Sequence, residues 1–297
     1  MRFSKIGLMT PGDMGQAVAM QIQARGYTVC TALDGRSERS RTLAREAGLT
    51  DLGSIEHLVA ECDVVLSIMD PGAALSFARQ AAAALCASGG NTLIVDCNAV
   101  APGTVQEISE LIVEAGGRCL DAGIIGPPPR GKASITLFVS GPGAAELMQI
   151  AGPQLQVTVM SERIGDASAL KMCSGALTKG TQLLWLEVLI AAQRLGIEDF
   201  LDRELREGAR AEIYHWLQGQ LPIMPPKAYR WVPEMREVAK TLAVDGVTPK
   251  VFEGMAEICA FVSTTAPGKE TPEQGRARGR SSTEIVRTLA AQSGDLG

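Results

Sequence analysis

The sequence predicts an α/β fold, a doubly wound parallel sheet followed by an all-α domain, with one long helix joining the two. From residue 1 to about residue 160, short apolar segments of β-rich composition alternate with Ala-rich amphipathic stretches. This alternation is typical of a parallel sheet that helices cover on both faces. After about Gly165 no strand-like segment follows. We therefore predict two domains, at residues 1–163 and 164–297.

Seven segments in the first domain have the composition of buried strands. They are Lys5–Met9 and residues 28–33, 63–69, 92–96, 118–122, 134–140 and 156–160. Helical periodicity in the intervening stretches predicts helices at residues 12–24, 37–47, 72–85 and 102–115. Pro102 stands in the first turn of the last of these helices, where proline is well tolerated.

The second domain is predicted to begin with one helix of about 30 residues, Asp166–Leu195, which carries few charges. A helix this apolar is usually buried between domains or subunits, so we expect a homodimer or a higher homo-oligomer. Further helices are predicted at residues 197–218, 231–243, 251–263 and 283–291. The polar stretch 264–282 is rich in Pro, Gly and Arg, which predicts a mobile linker.

Composition excludes several classes of function. The net charge of −5 argues against a nucleic-acid or membrane surface as the main partner and leaves a small-molecule substrate. The seven cysteines are dispersed and form no CxxC pair, which indicates reduced thiols in a cytoplasmic protein. With only two histidines a three-His zinc site is impossible, and we predict no metal site.

A glycine-containing turn joins the first strand to the first helix, with the sequence Thr10-Pro11-Gly12-Asp13-Met14-Gly15. It keeps the second and third glycines of the GxGxxG fingerprint, while Thr10 replaces the first. Gly12 lets the backbone approach a pyrophosphate, Gly15 lets the helix pack closely on the sheet, and the helix N-terminus supplies N–H groups. The turn predicts a Rossmann-type dinucleotide-binding domain; the alternative is a glycine-rich turn in an unrelated α/β domain.

The end of the second predicted strand bears on the choice of cofactor. Asp34 lies 19 positions after Gly15, where an acidic residue holds the ribose hydroxyls of NAD. Arg36, Ser37 and Arg39 follow directly, and a guanidinium beside a hydroxyl suits a 2′-phosphate. This favours NADP(H), with NAD(H) possible. The alternative is a solvated helix start with Ser37 as its N-cap.

Five segments, in this order, resemble the β-hydroxyacid dehydrogenase family, which includes 6-phosphogluconate and 3-hydroxyisobutyrate dehydrogenases. They are residues 6–7 with 11–15, residues 63–71, residues 96–98 with Pro102, residues 121–126, and Gly165 with Lys171. The resemblance runs from residue 5 to about residue 195. Residues 229–235 are similar to an uncharacterised, phosphogluconate-dehydrogenase-like branch of that family.

The resemblance implies roles for individual residues. It implies that Lys171 is the catalytic lysine. It places the cofactor against Met69, Asp70 and Pro71, and it makes Gly123, Ile124, Ile125 and Gly126 the substrate loop. Asn98, which stands where the family has Ser, could hydrogen-bond the nicotinamide ribose of the cofactor or the substrate. Two departures leave the substrate open: Ile125 stands where the family has Ser, and Gly175 stands where it has Asn, one turn after the lysine.

The residues themselves also single out Lys171. Of eight lysines, only Lys171 and Lys179 lie in the long predicted helix. At 100° per residue, a largely polar stripe lies within about 60° of Lys171; its members are Ser174, Gly175, Thr178, Gln182 and Trp185. A lysine facing a cofactor cleft would be partly desolvated, which lowers its pKa and suits proton exchange. The alternative is an ammonium that extends to the surface. Lys179 points about 80° away, and we expect it to be structural.

Candidate substrate contacts include Ser174 and Gly175 on this stripe. Arg230 and Trp231 could reach a substrate carboxylate and its carbon skeleton, or be a surface guanidinium and a packing indole. Lys132 and Arg130, beside a run of three prolines, are expected to be solvated rather than to bind an anion.

Together these observations predict an oxidoreductase. It would transfer a hydride between NADP(H) and the carbinol or carbonyl carbon of a small hydroxy acid or related alcohol, with Lys171 as the proton-transfer group. Because Ile125 and Gly175 remove two polar contacts, C=N reduction is an alternative, since imine reductases resemble this family. A non-catalytic NADP(H)-binding sensor is a second alternative.

Overall fold

A computed structural model describes residues 3–292 of the chain. The chain divides into two compact units between Ser174 and Gly175. The first turn of the long helix belongs to the first unit, where it is hydrogen-bonded to the sheet. For example, the amide of Ala167 donates to Ser140 Oγ over 3.0 Å. The predicted domain ends, residues 1–2 and 293–297, lie outside the described residues.

The first unit contains a single eight-stranded sheet. Its strands are β1 (Lys5–Met9), β2 (Thr28–Thr31), β3 (Thr50–Asp51), β4 (Val64–Ser67), β5 (Leu93–Asp96), β6 (Arg118–Ile125), β7 (Ile135–Ser140) and β8 (Leu155–Ser161). The strand order is β3-β2-β1-β4-β5-β6-β7-β8. Only the β6–β7 pair is antiparallel among these, so the predicted doubly wound sheet is confirmed as mostly parallel. The two-residue strand β3 was not predicted.

Helices cover both faces of this sheet. They are α1 (Asp13–Gln23), α2 (Glu38–Glu46), α3 (Ile55–Glu61), α4 (Ala74–Ser88) and α5 (Pro102–Glu114). Successive side chains of β4 enter two separate apolar clusters: Leu66 belongs to one, and Val65 belongs to the other. Such alternation places one cluster on each face of the sheet. The short helix α3 is the one helix of this unit that the sequence analysis did not delimit.

The long helix α6 (Asp166–Leu195) has the predicted bounds and continues from the first unit into the second. The other helices of the second unit are α7 (Glu198–Glu207), α8 (Ala211–Gln220), α9 (Ala228–Leu242), α10 (Lys250–Thr264), α11 (Pro272–Arg278) and α12 (Ser282–Gln292). The described part of this unit is therefore helical, as predicted. Within residues 3–292, no helix combines the length and the apolar character needed to cross a bilayer.

The prediction of a mobile linker at residues 264–282 is wrong, because its polar residues form caps and ion pairs. Thr271 and Gln274 form a capping box at the start of α11. At its end, Gly279 takes a left-handed φ of 62°, a conformation that favours glycine. The carboxylate of Glu270 accepts two hydrogen bonds from Arg280. Polar composition alone does not distinguish such a capped helix from a linker.

Candidate active site

The turn between β1 and α1 contains two glycines, and a different structural reason explains glycine at each of the two positions. A Cβ at Gly15 would lie 2.1 Å from the carbonyl oxygen of Thr10, so the close packing of α1 requires glycine there. Gly12 has an ordinary φ of −81°. The nearest atom that its Cβ would meet is Thr10 Oγ1, at 3.8 Å. The protein itself leaves room for a side chain at Gly12, which fits the prediction that a ligand's phosphates need this space.

The same turn presents the N-terminus of α1. Gly12 is the N-cap and has no side chain that could accept from the first amides of the helix, which include those of Asp13 and Met14. Such amides attract phosphate groups. The amide of Thr10 donates to the Ile68 carbonyl over 2.8 Å, which ties the turn to the loop that follows β4. The predicted residues from Thr10 through Pro11 to Met14 are thus gathered at one helix N-terminus.

A cavity of about 250 Å³ lies beside the end of β2. It is lined by Met9, Ala32, Asp34, Arg36, Gly53, Ser54, Ile55, Glu56 and Gln80. Among these described residues Arg36 alone carries a positive charge, and burial lowers the pKa of its guanidinium. Ser37 Oγ instead accepts from the amide of Ser40 over 3.3 Å, and Arg39 is exposed. The structure therefore brings Asp34 and Arg36 into the cavity and makes Ser37 the N-cap of α2.

The loop after β4 is held by its own hydrogen bonds. Asp70 Oδ1 accepts from the amide of Gly72 over 3.0 Å, which caps a short 3₁₀ turn that begins at Pro71. The amide of Met69 donates to Asn98 Oδ1 over 2.6 Å. The three predicted cofactor contacts in this loop, Met69, Asp70 and Pro71, are thus held in one fixed backbone turn.

Asn98 is 2% exposed, and its side-chain amide is used within the protein. Nδ2 donates to Ser67 Oγ over 2.8 Å and to Asp96 Oδ2 over 2.7 Å. These two bonds use both N–H groups of the amide, so the side chain joins the ends of β4 and β5. Burial raises the pKa of Asp96 to about 7, against the hydrogen bonds from Asn98 that lower it.

A buried carboxylate, Asp121 on β6, holds the start of the helix that bears Lys171. Asp121 Oδ2 accepts from the amides of Gly165 and Ser168, over 2.9 and 3.0 Å, and from Ser140 Oγ over 3.0 Å. Oδ1 accepts from Ser168 Oγ over 2.7 Å. Burial raises the pKa of this carboxyl, while the hydrogen bonds from Ser168 and its neighbours lower it. Amides at a helix start lack intrahelical partners, and a carboxylate there interacts favourably with the helix dipole.

Gly123 lets α6 approach the sheet closely, because a Cβ there would lie 2.8 Å from the Ala167 carbonyl oxygen and 3.1 Å from Lys171 Cβ. The ammonium of Lys171 donates to the carbonyl oxygen of Ile124. Strand β5 ends at Asp96, opposite Asp121, whereas β6 continues to Ile125. Beyond Asp121, therefore, β6 is not paired with β5. Backbone N–H and C=O groups alternate between the two edges of such a strand, so some of these groups face the open edge.

The rest of the predicted substrate loop is apolar. Ile124 is buried at 3% exposure, and Ile125 is half-buried opposite Thr136. Gly126 has a φ of 127°, and its Cβ would lie 2.8 Å from the Ser134 carbonyl oxygen. Glycine at 126 is thus required by the turn out of β6.

The candidates on α9 differ in their surroundings. Trp231 is buried at 6% exposure, and Lys179 Nζ lies 5.6 Å from its ring centroid. Arg230 is exposed. The carboxylate of Glu234 pairs with Lys179 and would lie 3.5 Å from a Cβ at Gly175. Within this unit the Glu234 carboxylate of α9 thus lies next to Gly175, the position at which the family that the sequence resembles has Asn. Ser174, the last residue of the first unit, is half-buried.

Sequence reasoning missed two sets of interactions at this site. It did not predict that Asp121 accepts hydrogen bonds from Ser140 and Ser168, which lie 19 and 47 positions away from it in the sequence. It also assigned no partner to Arg130, whose exposed guanidinium pairs with Asp13, 117 positions away. No local pattern signals contacts between residues so far apart in the sequence.

Comparison with known proteins identifies two regions of the chain. Residues 5–160 match the family described as the NAD binding domain of 6-phosphogluconate dehydrogenase. Residues 192–262 match a domain of unknown function, DUF1932. The first match covers more than half of the chain.

Three solved structures share the fold over nearly the whole chain. A conserved protein of unknown function, reported as structurally similar to 3-hydroxyacid dehydrogenases, is 30% identical; the match covers 93% of this chain and 99% of the other, with a TM-score of 0.62. The 3-hydroxyisobutyrate dehydrogenase of Mycobacterium tuberculosis, solved with L-serine, is 18% identical (coverage 97% and 99%, TM-score 0.66). An imine reductase of Streptomyces aurantiacus is 19% identical (coverage 93% and 100%, TM-score 0.52).

The two glycines of the first turn should respond differently to alanine. We expect Gly12→Ala to fold normally but to weaken NADPH binding by roughly tenfold or more, because its methyl group displaces the phosphates from charged hydrogen bonds. Gly15→Ala should lower the melting temperature, because its Cβ would collide with the Thr10 carbonyl. Thermal melting and fluorescence titration with NADPH measure both effects. Gly103→Ala, a site with nothing within 4 Å, is the control. Unchanged NADPH affinity in Gly12→Ala would argue against phosphate binding at this turn.

Proposed function

The chain belongs to the β-hydroxyacid dehydrogenase family, through the NAD binding domain of 6-phosphogluconate dehydrogenase, and we propose that it transfers a hydride between NADP(H) and a small hydroxy acid or related alcohol. It is an NAD(P)-dependent oxidoreductase; the choice of NADP(H), the substrate class and the role of Lys171 are the proposal. The observation that carries it is the ammonium of Lys171 at the Ile124 carbonyl, beside the open edge of β6.

The location of Lys171 supports a role in chemistry. Ligands of open, mostly parallel α/β sheets bind beyond the carboxyl ends of the strands. Lys171 lies at that end of the sheet, as does the turn from Thr10 to Gly15 that follows β1. The first unit therefore contains a dinucleotide turn and a cationic proton carrier on the same edge.

The residues present fit NADP(H). Gly12 and the N-terminus of α1 would hold the diphosphate, and Asp34 and Arg36 would hold the adenosine ribose and its 2′-phosphate. When bound, NADP(H) supplies or accepts the hydride. Arg36 is half-buried, and its described surroundings in the cavity include no other cation. A partly desolvated guanidinium gains from an anionic ligand, which favours the phosphorylated cofactor over NAD(H).

Lys171 would exchange one proton with the substrate. In reduction its ammonium donates a proton to the carbonyl oxygen as that oxygen becomes a hydroxyl; in oxidation its neutral amine takes the hydroxyl proton. The Ile124 carbonyl, which accepts a hydrogen bond from Nζ, orients the group. The backbone amides of residues 123–126 would position the acid group of the substrate.

The substrate is expected to be less polar than those of the enzymes that this family is named for. The half-buried Ile125 stands where the family has a hydroxyl, which removes one polar contact. Because Ile125 and Gly175 remove two polar contacts, C=N reduction is the second candidate. Oxidation of NADPH in the presence of aldehydes, keto acids and cyclic imines tests the two. Turnover with cyclic imines alone would favour the second, and binding without turnover would favour a sensor.

We also propose a cytoplasmic location. All seven cysteines are free thiols, and five of them are buried. This arrangement suits a reducing compartment.

The exposed face of α6 supports a homodimer. Leu177, Leu184, Val188 and Leu195 are 75%, 56%, 48% and 73% exposed. At 100° per residue they lie within about 40° of one another and span about 27 Å of the helix. A continuous apolar stripe of this kind marks an interaction surface, and a second copy can bury its own stripe against it around a twofold axis.

Arg36 should determine the preference for NADPH. Arg36→Ala is expected to weaken NADPH binding by about 1.5–3 kcal/mol, the range for a lost charged hydrogen bond, and to leave NADH binding nearly unchanged. Fluorescence titration with each cofactor measures this. The control is Arg45→Ala, which removes the same charge from an exposed pair with Glu38. An equal loss for both cofactors would exclude a contact with the 2′-phosphate.

Lys171→Met tests the chemistry, because it removes the charge and the proton while keeping most of the side-chain volume. Turnover with the best substrate of the panel should fall by about 10²–10⁴-fold, the usual contribution of a positioned acid or base. NADPH affinity should change little, and one limb of the pH–rate profile should disappear. Lys132→Met, at an exposed lysine of the same unit, is the control. Normal turnover with a lowered melting temperature would make Lys171 structural.

The dimer can be tested on the apolar stripe of α6. Leu184→Glu combined with Val188→Glu should convert a dimer or larger assembly to monomer, because burying two unpaired carboxylates is strongly unfavourable. Light scattering at micromolar concentration measures the mass. Val113→Glu, at a 56% exposed valine of α5, should leave the assembly intact. A wild-type protein that is monomeric at that concentration contradicts the proposal.

A further inference from the structure

The carboxylate of Asp13 lies at the helix N-terminus where the negatively charged diphosphate of the proposed cofactor would bind. It is the first residue of α1 and directly follows the N-cap Gly12. Under the proposed function the diphosphate binds at this helix N-terminus. A carboxylate a few ångströms from a diphosphate repels it, so Asp13 by itself would weaken the binding that Gly12 permits.

Arg130 lies 117 positions after Asp13 in the sequence but contacts it in the folded protein. Nη1 donates to Asp13 Oδ1 over 2.5 Å, and Nη2 donates to the Asp13 carbonyl oxygen over 3.1 Å. Nη2 also donates to Gln16 Oε1 over 2.6 Å. Gln16 is 6% exposed, and its Nε2 is held by the Leu43 carbonyl and by Glu46. The acceptor oxygen of Gln16 is thereby fixed in place for Arg130.

The loop that carries Arg130 is stiff and tethered. Residues 127–129 are three successive prolines, each of which fixes its own φ. Gln21 Nε2, on α1, donates to the Pro129 carbonyl oxygen over 3.1 Å. The guanidinium is therefore held at the first turn of α1 by its own hydrogen bonds and by the backbone next to it.

Stability does not account for this arrangement. The side chains of Arg130 and Asp13 are 44% and 43% exposed, and ion pairs this exposed contribute about 0–1 kcal/mol. The positive charge of Arg130 instead cancels the negative charge of Asp13, so the pair leaves the helix N-terminus without a net side-chain charge. The field of the helix dipole, which attracts anions, is then no longer opposed.

We propose that Arg130 is a positioning residue that neutralises Asp13 and so allows the cofactor's diphosphate to bind at the N-terminus of α1. This inference rests on the proposed function. Its role is electrostatic, because it cancels the charge of Asp13, so removing both charges together should leave the affinity close to that of the wild type.

A double-mutant cycle tests the inference, with NADPH affinity measured by fluorescence titration at low ionic strength. Arg130→Met should weaken NADPH binding roughly tenfold or more, as expected for an uncompensated charge near the phosphates. The double variant Arg130→Met with Asp13→Asn, which carries neither charge, should bind NADPH within about threefold of the wild type, and Arg130→Lys, which keeps the charge, should retain most of the affinity. Arg79→Met, which removes a guanidinium from an exposed pair with Glu107, is the control.

The outcomes separate this inference from the proposed function. A double variant that binds NADPH as weakly as Arg130→Met, or no loss in Arg130→Met, overturns the role of Arg130 while the wild-type protein still binds NADPH. A wild-type protein that binds neither NADPH nor NADH overturns the proposed function and this inference together. Melting curves without ligand show whether each variant is folded. A loss of affinity that accompanies unfolding and is not rescued by Asp13→Asn also counts against the inference.

Discussion

The carboxylate of Asp121 is the interaction on which the rest of the site depends. It accepts from four donors that come from β7 and from the start of α6, and it stands on β6 between them. Two of these donors, the amides of Gly165 and Ser168, would otherwise lack partners in a buried region. An unsatisfied buried amide costs about 1–3 kcal/mol. The long helix therefore begins at a place that the sheet determines.

Two consequences follow for the chemistry. Because α6 begins against β6, and because Gly123 has no side chain between them, Lys171 comes within hydrogen-bonding reach of the Ile124 carbonyl. Because β6 extends past the end of β5, the backbone beside that ammonium is open on one edge. The ammonium of Lys171 and the part of β6 that β5 does not pair thus lie at the end of the sheet where ligands of this fold bind. The Gly12 turn and the Arg36 cavity complete this arrangement for a dinucleotide.

The features that could be predicted from the sequence are the strands and helices that local residue patterns encode. The apolar segments predicted seven of the eight strands, and the low charge of residues 166–195 predicted α6 with its bounds. The partners of Asp121 and the pairing of Arg130 with Asp13 depend on the tertiary fold, and no local pattern contains them. The two internal acceptors of the Asn98 amide, Ser67 Oγ and Asp96 Oδ2, likewise depend on how the strands are placed in the fold. Composition misled at residues 264–282, where Gly and Arg are cap and ion-pair residues of a helix.

The central claim is that this sheet edge brings the reacting carbon of the cofactor to Lys171. The crystal structure of the complex with NADP⁺ tests it most directly. We expect the diphosphate at the N-terminus of α1, the 2′-phosphate at Arg36, and the nicotinamide ring beside the open edge of β6, next to the ammonium of Lys171. A nicotinamide ring bound away from Lys171, or a diphosphate bound away from the Gly12 turn, would contradict the account.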